Sequence, residues 1–216
     1  MNRWVSRYLT KDEVKSISDE VAKAEIQSGG EIVPMVVRAC TGFSHVGILA
    51  TMISFAFFLL VFSHYEYSWS TQLNWYAVIG LGLVVCFLIG FGMANSVHAR
   101  RYLTPQFEME KRVHERAELE YYRRKVSATK EGTGVLIMIS VTERKVVIFP
   151  DPSLASRVNP KVWEEQVKVL VPYLKKSQWA DGFRVVIQNV GQILAQHVPR
   201  RDKDKDELPN HLIIAE

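Results

Sequence analysis

Residues 133–151 read TGVLIMISVTERKVVIFPD, and this stretch decides the fold. Gly132, Thr133 and Gly134 open an apolar run, VLIMISV over 135–141, too short for a buried helix and rich in β-branched residues. Thr142, Glu143 and Arg144 make a turn, and KVVIF over 145–149 is a second strand. Pro150, Asp151 and Pro152 end it. The reading is a strand hairpin whose first strand is apolar throughout, as a strand covered on both faces must be.

Upstream, EIVPMVVR at 31–38 is equally strand-like, and Pro34 within it points to an edge position or a bulge. Before it, Thr10 and Glu13 have capping-box spacing, and Val14, Ile17, Val21 and Ala24 follow at helical intervals until Gly29 and Gly30. Downstream of the hairpin, Asn159-Pro160 starts a helix carrying Val162, Val167, Leu170, Val171 and Leu174, with Pro172 expected to bend it. Residues 182–197 are a second amphipathic helix. Thr104-Pro105 begins another helix, in which Met109, Val113, Ala117 and Tyr121 form a narrow apolar stripe and Glu120–Arg124 is an i,i+4 pair. Strands alternating with helices predict a small α/β fold: a mixed sheet flanked by helices, with 31–38 parallel to 135–141.

The connection between those two strands contains the two least polar stretches of the chain. Residues 45–63 read HVGILATMISFAFFLLVFS and 75–94 read WYAVIGLGLVVCFLIGFGMA. Each has the length of a helix crossing about 30 Å of hydrocarbon, so the fold is predicted to be interrupted by a two-helix transmembrane hairpin. Six basic and six acidic residues lie up to Ser44, Glu66 alone between there and Ala99, and twenty-one basic and sixteen acidic residues beyond. Arg38 precedes the first span, Arg100, Arg101, Lys111 and Arg112 follow the second, and the linker 64–74 has no Lys or Arg. Both termini are then cytoplasmic and the linker is outside, with Tyr65, Tyr67, Trp69, Trp75 and Tyr76 as an interfacial belt. Gly82, Cys86, Gly90 and Ala94 share one face of the second span, a helix-packing surface for the first span or for a second copy or another membrane protein. The organisation is thus residues 1–42, helix and strand; 43–98, the hairpin; 99–199, the rest of the cytoplasmic domain; and 200–216, a charged tail that anchors again near Leu212.

Two cysteines, Cys40 and Cys86, exclude a disulfide-framed scaffold. Basic and acidic residues are interleaved rather than gathered into a stripe, which argues against nucleic acid despite a net charge of +4. No Asp, Glu, Lys or Arg lies within either span and the histidines sit at the ends, which argues against an ion pathway.

With these residues in place the stretch 133–151 resembles the TPM domain family, which includes a thylakoid protein of photosystem II repair. The chain is most similar to the bacterial membrane-protein branch, in which a transmembrane hairpin interrupts the domain. The likeness continues through Trp163, Asp181-Gly182-Phe183, Gly191 and the sequence DELPN at 206–210. It implies a mixed sheet flanked by helices and, from other members, acid phosphatase activity, divalent-metal binding or roles in membrane-complex assembly. Secreted and lumenal members carry an acidic residue and Asn before the first hairpin strand and a Gly-rich loop after the second. Here those positions hold Gly132-Thr133 and Ser153-Leu154-Ala155, so much of that metal and phosphate site is absent.

No P-loop, nucleophile elbow, zincin motif or Cys/His cluster is present. The remaining candidates are oxygen ligands: Glu143, Asp151 and Asp181 for a Ca2+ or Mg2+ ion, with Asp151 as ligand or nucleophile and Arg144 as a phosphate clamp. The competing reading makes Glu143-Arg144-Lys145 a solvated turn and Asp151 a loop cap. The sequence predicts a two-pass protein of the bacterial inner membrane whose cytoplasmic domain is a non-catalytic interaction or assembly module, its partners being the bilayer and other membrane proteins or itself. A divalent-metal-dependent phosphatase is the alternative.

Overall fold

The computed structural model describes residues 3–40, 44–66, 75–96, 104–129, 132–200 and 207–215. Tyr67, Trp69, Arg100, Arg101 and the charged stretch 201–206 lie outside the described residues. The chain divides into two compact units, Met1–Cys40 with Glu110–Glu216, and Thr41–Met109.

In the first unit β1 (Glu31–Val37), β2 (Gly134–Ser140), β3 (Lys145–Pro150) and β4 (Ile213–Ala215) form one sheet in the order β3-β2-β1-β4. β1 is parallel to β2, as its sequence predicts, and to β4, whereas β2 and β3 pair antiparallel. Every residue of β2 is buried because both faces of the sheet are covered. Val135, Ile137 and Ile139 point into one core with Ile17 and Val21 of α1 (Lys11–Gln27), Trp163 and Leu170 of α6 (Pro160–Lys175), and Phe183, Val186 and Val190 of α7 (Trp179–His197). Leu136 and Met138 point the other way, onto Val113, Ala117 and Tyr121 of α4 (Gln106–Arg123). The strand's two-residue period thus assigns alternate side chains to two cores.

Local chemistry sets the ends of these elements. Thr10 caps α1 through a full capping box: its N–H donates to Glu13 Oε2 at 2.6 Å and its hydroxyl accepts from Glu13 N–H at 3.2 Å. Asn159 caps α6 by accepting from Lys161 N–H at 3.0 Å, with Pro160 at the first helical position. α1 approaches α7 closely because Gly191 has no side chain; a Cβ there would lie 2.8 Å from Ala24 Cβ.

Pro34 has a specific reason to be tolerated inside a central strand. Glu31 N–H donates to Thr133 O, and Arg38 N–H to Ala215 O. Odd-numbered N–H groups of β1 therefore face β2 and even-numbered ones face the β4 side. β4 reaches only Met35–Val37, so positions 32 and 34 remain an edge. Ile32 N–H is satisfied by Glu25 Oε1 at 2.8 Å, and Pro34 has no N–H to satisfy. The charged tail likewise does not end as a loose extension. Leu212 is buried, and residues 213–215 supply the fourth strand.

The second unit contains α2 (Ser44–Glu66) and α3 (Trp75–Asn95), packed on each other. Among the described residues one helix, Tyr76–Asn95, is long and apolar enough to cross a membrane, with mean hydropathy 2.5 and 17% of it buried. The apolar part of α2, Gly47–Ser63, is shorter, so the helices by themselves establish one candidate span and not the predicted pair. Gly82, Cys86 and Gly90 face α2. A Cβ on Gly90 would overlap Thr51 Oγ1 and one on Gly82 the Phe58 ring, while Cys86 is buried. Ala94 lies opposite Gly47, where an added Cβ would fall 2.8 Å from the Ala94 methyl. Gly80 and Gly92 meet nothing within 4 Å. Gly90→Leu should therefore lower the thermal midpoint of the detergent-solubilised chain, since overpacking costs about 1–3 kcal/mol. Gly92→Leu should leave it unchanged, and equal midpoints would show that this face of α3 is not a packing surface.

Candidate functional site

Two buried acids stand at opposite ends of the β2–β3 pair. At the carboxyl end of the parallel strands, the end where open α/β sheets bind ligands, lies Glu143, 3% exposed. Its Oε1 accepts from Cys40 N–H at 3.1 Å, and its Oε2 accepts from the Ser140 hydroxyl. The adjoining turn closes over the exit of β1: Val141 N–H donates to Val37 O and Thr142 N–H to Arg38 O, both at 3.0 Å, and the Thr142 hydroxyl adds a bond to Arg38 O at 2.6 Å. Glu143 is therefore a clasp that holds the chain where it leaves β1. Arg144 completes the turn in the left-handed region, φ 53°, with its side chain exposed.

Cys40, the first chain position held by this clasp, is half-buried. Burial, then the nearby Glu143 and Glu120 charges, push its thiol up to about 11 against the opposing effects of a Ser140 hydrogen bond and Arg116. At neutral pH it is protonated and a weak nucleophile.

At the other end Asp151 caps the short helix α5 (Pro152–Ala155). Its Oδ1 accepts from Ser153 N–H at 2.9 Å and lies 2.7 Å from the Ser153 hydroxyl, while its Oδ2 accepts from the buried Tyr121 hydroxyl. Burial acts to raise the Asp151 pKa, but the bonds from Ser153 and Tyr121 outweigh it and hold the carboxyl below its ordinary value. The same contact acts in reverse on Tyr121, whose hydroxyl is raised far above the usual range by burial first and by Asp151 second. Gly132 makes this arrangement possible. Its φ is 62°, and a Cβ there would overlap Ser153 Oγ and come within 2.7 Å of Asp151 Oδ1. Gly132 thus lets Ser153 and Asp151 close on the loop.

The predicted ligands are not brought together. From Lys145 to Pro150 the strand rises about 17 Å, and Glu143 lies beyond one end and Asp151 beyond the other. Arg144 is at the Glu143 end, so it does not clamp a phosphate held at Asp151. Asp181 is in the first turn of α7, paired with Arg184 on the same helix. Leu194 of α7 lies against Gly30 beside Thr133, near the Asp151 end, and Asp181 is about 20 Å away from it along the helix axis. Among the described residues no group of three His, Cys, Asp or Glu side chains has an arrangement that could hold a metal ion.

Two features of the site are not visible from sequence spacing. Tyr121 reads as the last member of an apolar stripe, yet its hydroxyl meets Asp151, thirty positions away. Glu120 reads as half of an i,i+4 pair with Arg124, and it is fully buried. It lies 3.0 Å from Arg116 Nη2, 3.1 Å from Arg124 Nε and 3.7 Å from Arg123 Nη1. Its burial follows from its place beside Ala117 and Tyr121 on the inner side of α4, which the i,i+4 pair alone does not reveal. The spacing Ser140-x-x-Glu143 at a strand end was the one local signal for the clasp.

The domain is a mixed four-stranded α/β sheet with three helices on one face. Residues 94–193 match the family model described as TPM domain. The matched part holds α4, β2, β3, α5, α6 and α7 as far as residue 193, while α1 and β1 precede it and β4 follows it. The NMR structure of the BA42 protein from the psychrophilic bacterium Bizionia argentinensis superposes on 96% of this chain and 95% of its own, with a TM-score of 0.58 and 19% identity. At that identity the likeness is one of fold. No curated protein matches the chain.

The depressed Asp151 pKa carries a stability consequence of definite sign. Its contribution is complete above 3.8, the ordinary carboxyl value, and is lost as pH falls through the lower folded value. Asp151→Asn should lower stability at neutral pH by about 1–3 kcal/mol. It should also flatten the acid limb below about pH 4. Urea midpoints measured between pH 3 and 7 for both forms check this, and parallel curves would show Asp151 to be unengaged.

Proposed function

We propose that this chain is a membrane-anchored cytoplasmic module of TPM type that acts by interaction or assembly within a membrane complex, without catalytic turnover. The observation that carries the anchoring is α3: Leu81, Leu83, Val84, Phe87, Leu88 and Phe91 are all exposed on a helix of mean hydropathy 2.5. A core helix of that composition in a soluble domain would be mostly covered. α2 likewise exposes Ile48, Met52, Ile53, Phe57 and Leu60, which supports reading the pair as a two-pass hairpin in the inner membrane. The basic residues Arg38, Lys111 and Arg112 flank the pair on both chain sides, and the linker has none, which favours cytoplasmic termini. The non-catalytic part rests on how the acids are used. Glu143 and Asp151 each stabilise the fold through hydrogen bonds from the chain, and a phosphatase needs nucleophile, charge clamp and metal ligands converging within a few ångströms.

In a variant with Cys40→Ser and Cys86→Ala, a cysteine at Ser68 should react with an impermeant thiol reagent in intact cells, and one at Glu216 only after lysis. The opposite pattern would refute the cytoplasmic placement. Affinity purification in mild detergent should return defined membrane-protein partners. The purified full chain should show no hydrolysis of p-nitrophenyl phosphate with Mg2+, Mn2+ or Ca2+ beyond that of Asp151→Asn. Metal-dependent turnover that disappears in Asp151→Asn, with circular dichroism unchanged, would replace this reading with the phosphatase.

A further inference from the structure

β4 fills one short slot of the sheet. It pairs parallel with Met35–Val37 alone, and Arg38 N–H donates to Ala215 O at 3.0 Å. Leu212 and Ile213 are its two buried residues, one in each of the cores on opposite faces of the sheet. The rest of this edge is complete without the segment, because Ile32 N–H is held by Glu25 Oε1 and Pro34 has no N–H. Emptying the slot therefore uncovers the N–H groups of Val36 and Arg38 and the seats of Leu212 and Ile213, and leaves the β1–β2 and β2–β3 ladders in place. The chain that leads to the slot is tied down well before it. Val198 O accepts from Gly29 N–H at 2.9 Å, and Arg200 Nη1 donates to Ile26 O at 2.8 Å. From Gly29 to Met35 is six residues, about 20 Å along the strand direction. From Val198 to Ile213 is fifteen residues, which reach about 50 Å when extended. The connection is more than twice as long as its own slot requires.

We infer that this slot is a strand-exchange site, in which the C-terminal segment of one chain is replaced by the same segment of a second copy. In an exchanged pair each slot holds the strand whose fit the structure already displays: the same parallel register and the same buried Leu212 and Ile213. A second copy is thus a partner that matches the slot in shape and chemistry without any new contact. The closed and exchanged forms differ in the connection, and that decides the balance between them. A chain's own segment is favoured by its tether, which acts as an effective concentration of about millimolar order. Exchange therefore belongs to copies held close together, as within one complex, and the surplus length of the connection lets a segment reach a neighbour's slot while its own α7 stays docked. The inference rests on the sheet alone and is independent of the membrane reading above.

The test uses two differently tagged full-length chains, both with Cys40→Ser and Cys86→Ala, mixed in mild detergent under an oxidised glutathione buffer. One carries Val37→Cys and the other Ala215→Cys, positions that are paired in register. Neighbouring strands lie about 4.8 Å apart, within disulfide range, so a bond between the two tags forms only when one chain's segment lies in the other's slot. That bond should appear in concentrated mixtures and fade on dilution. Adding Ile213→Asp to the Val37→Cys chain weakens the hold of its own segment and should raise the yield on the order of tenfold. Adding Ile213→Asp to the Ala215→Cys chain instead should abolish it. A single chain with both Val37→Cys and Ala215→Cys should close its own disulfide, which shows that the fold is intact and the cysteines are competent. If that chain closes while the mixed chains never join at any concentration, exchange does not occur. A bond that forms equally when the Ala215→Cys chain carries Ile213→Asp would mark a chance encounter and overturn the inference as well.

Discussion

The parallel ladder between β1 and β2 is the constraint on which the rest depends. It joins residues 31–37 to residues 134–140, so its two strands are separated by everything the chain does between them. Loop-closure entropy rises only slowly with length, and the ladder is therefore affordable provided its ends are fixed. Glu143 fixes one end by holding Cys40 N–H and Ser140 together, and the Thr142–Arg38 bonds fasten the same place. Asp151 fixes the other by tying the loop at Gly132 to Tyr121 on the covering helix. The two acids that look most like chemistry in the sequence are the two fasteners of the central strand pair.

This explains why the fold was more legible than the site. Local and periodic features carry through directly: the Thr10 capping box, the alternation of β2 between two cores, and the parallel pairing inferred from strands separated by helices. Pro34 was rightly an edge signal, although β1 is central, because the edge is only part of a strand and depends on how far β4 reaches. The role of an acidic side chain has no such local signature. Whether Glu143 faces water or Cys40 N–H, and whether Asp151 faces an ion or Tyr121, is decided by residues far along the chain. Their type and spacing are the same in either case.

Gly132 illustrates how one backbone position is matched to its surroundings. Any side chain there would meet Ser153 and Asp151, and its φ of 62° is one that glycine adopts without strain. The absence of a side chain at this position and the closure of Ser153 over Asp151 go together. Tyr121 then satisfies the second carboxylate oxygen from the opposite face of the sheet, so α4, β3 and the loop before β2 are locked through a single carboxylate.

The sheet order has a bearing on biosynthesis. β1 is made early, but its partners β2 and β4 come after both long apolar helices, and β4 is the last described strand in chain order. Until those later strands are made, Ile32, Val33, Met35, Val36 and Val37 have no strand partner. Unpaired strands of this kind are templates for association with other nascent chains. In the folded chain the Glu25 carboxylate occupies Ile32 N–H and Pro34 has none, so this edge offers few free donors. The proline that looks out of place in the finished sheet is thus one that removes a donor from an edge on which other strands could pair.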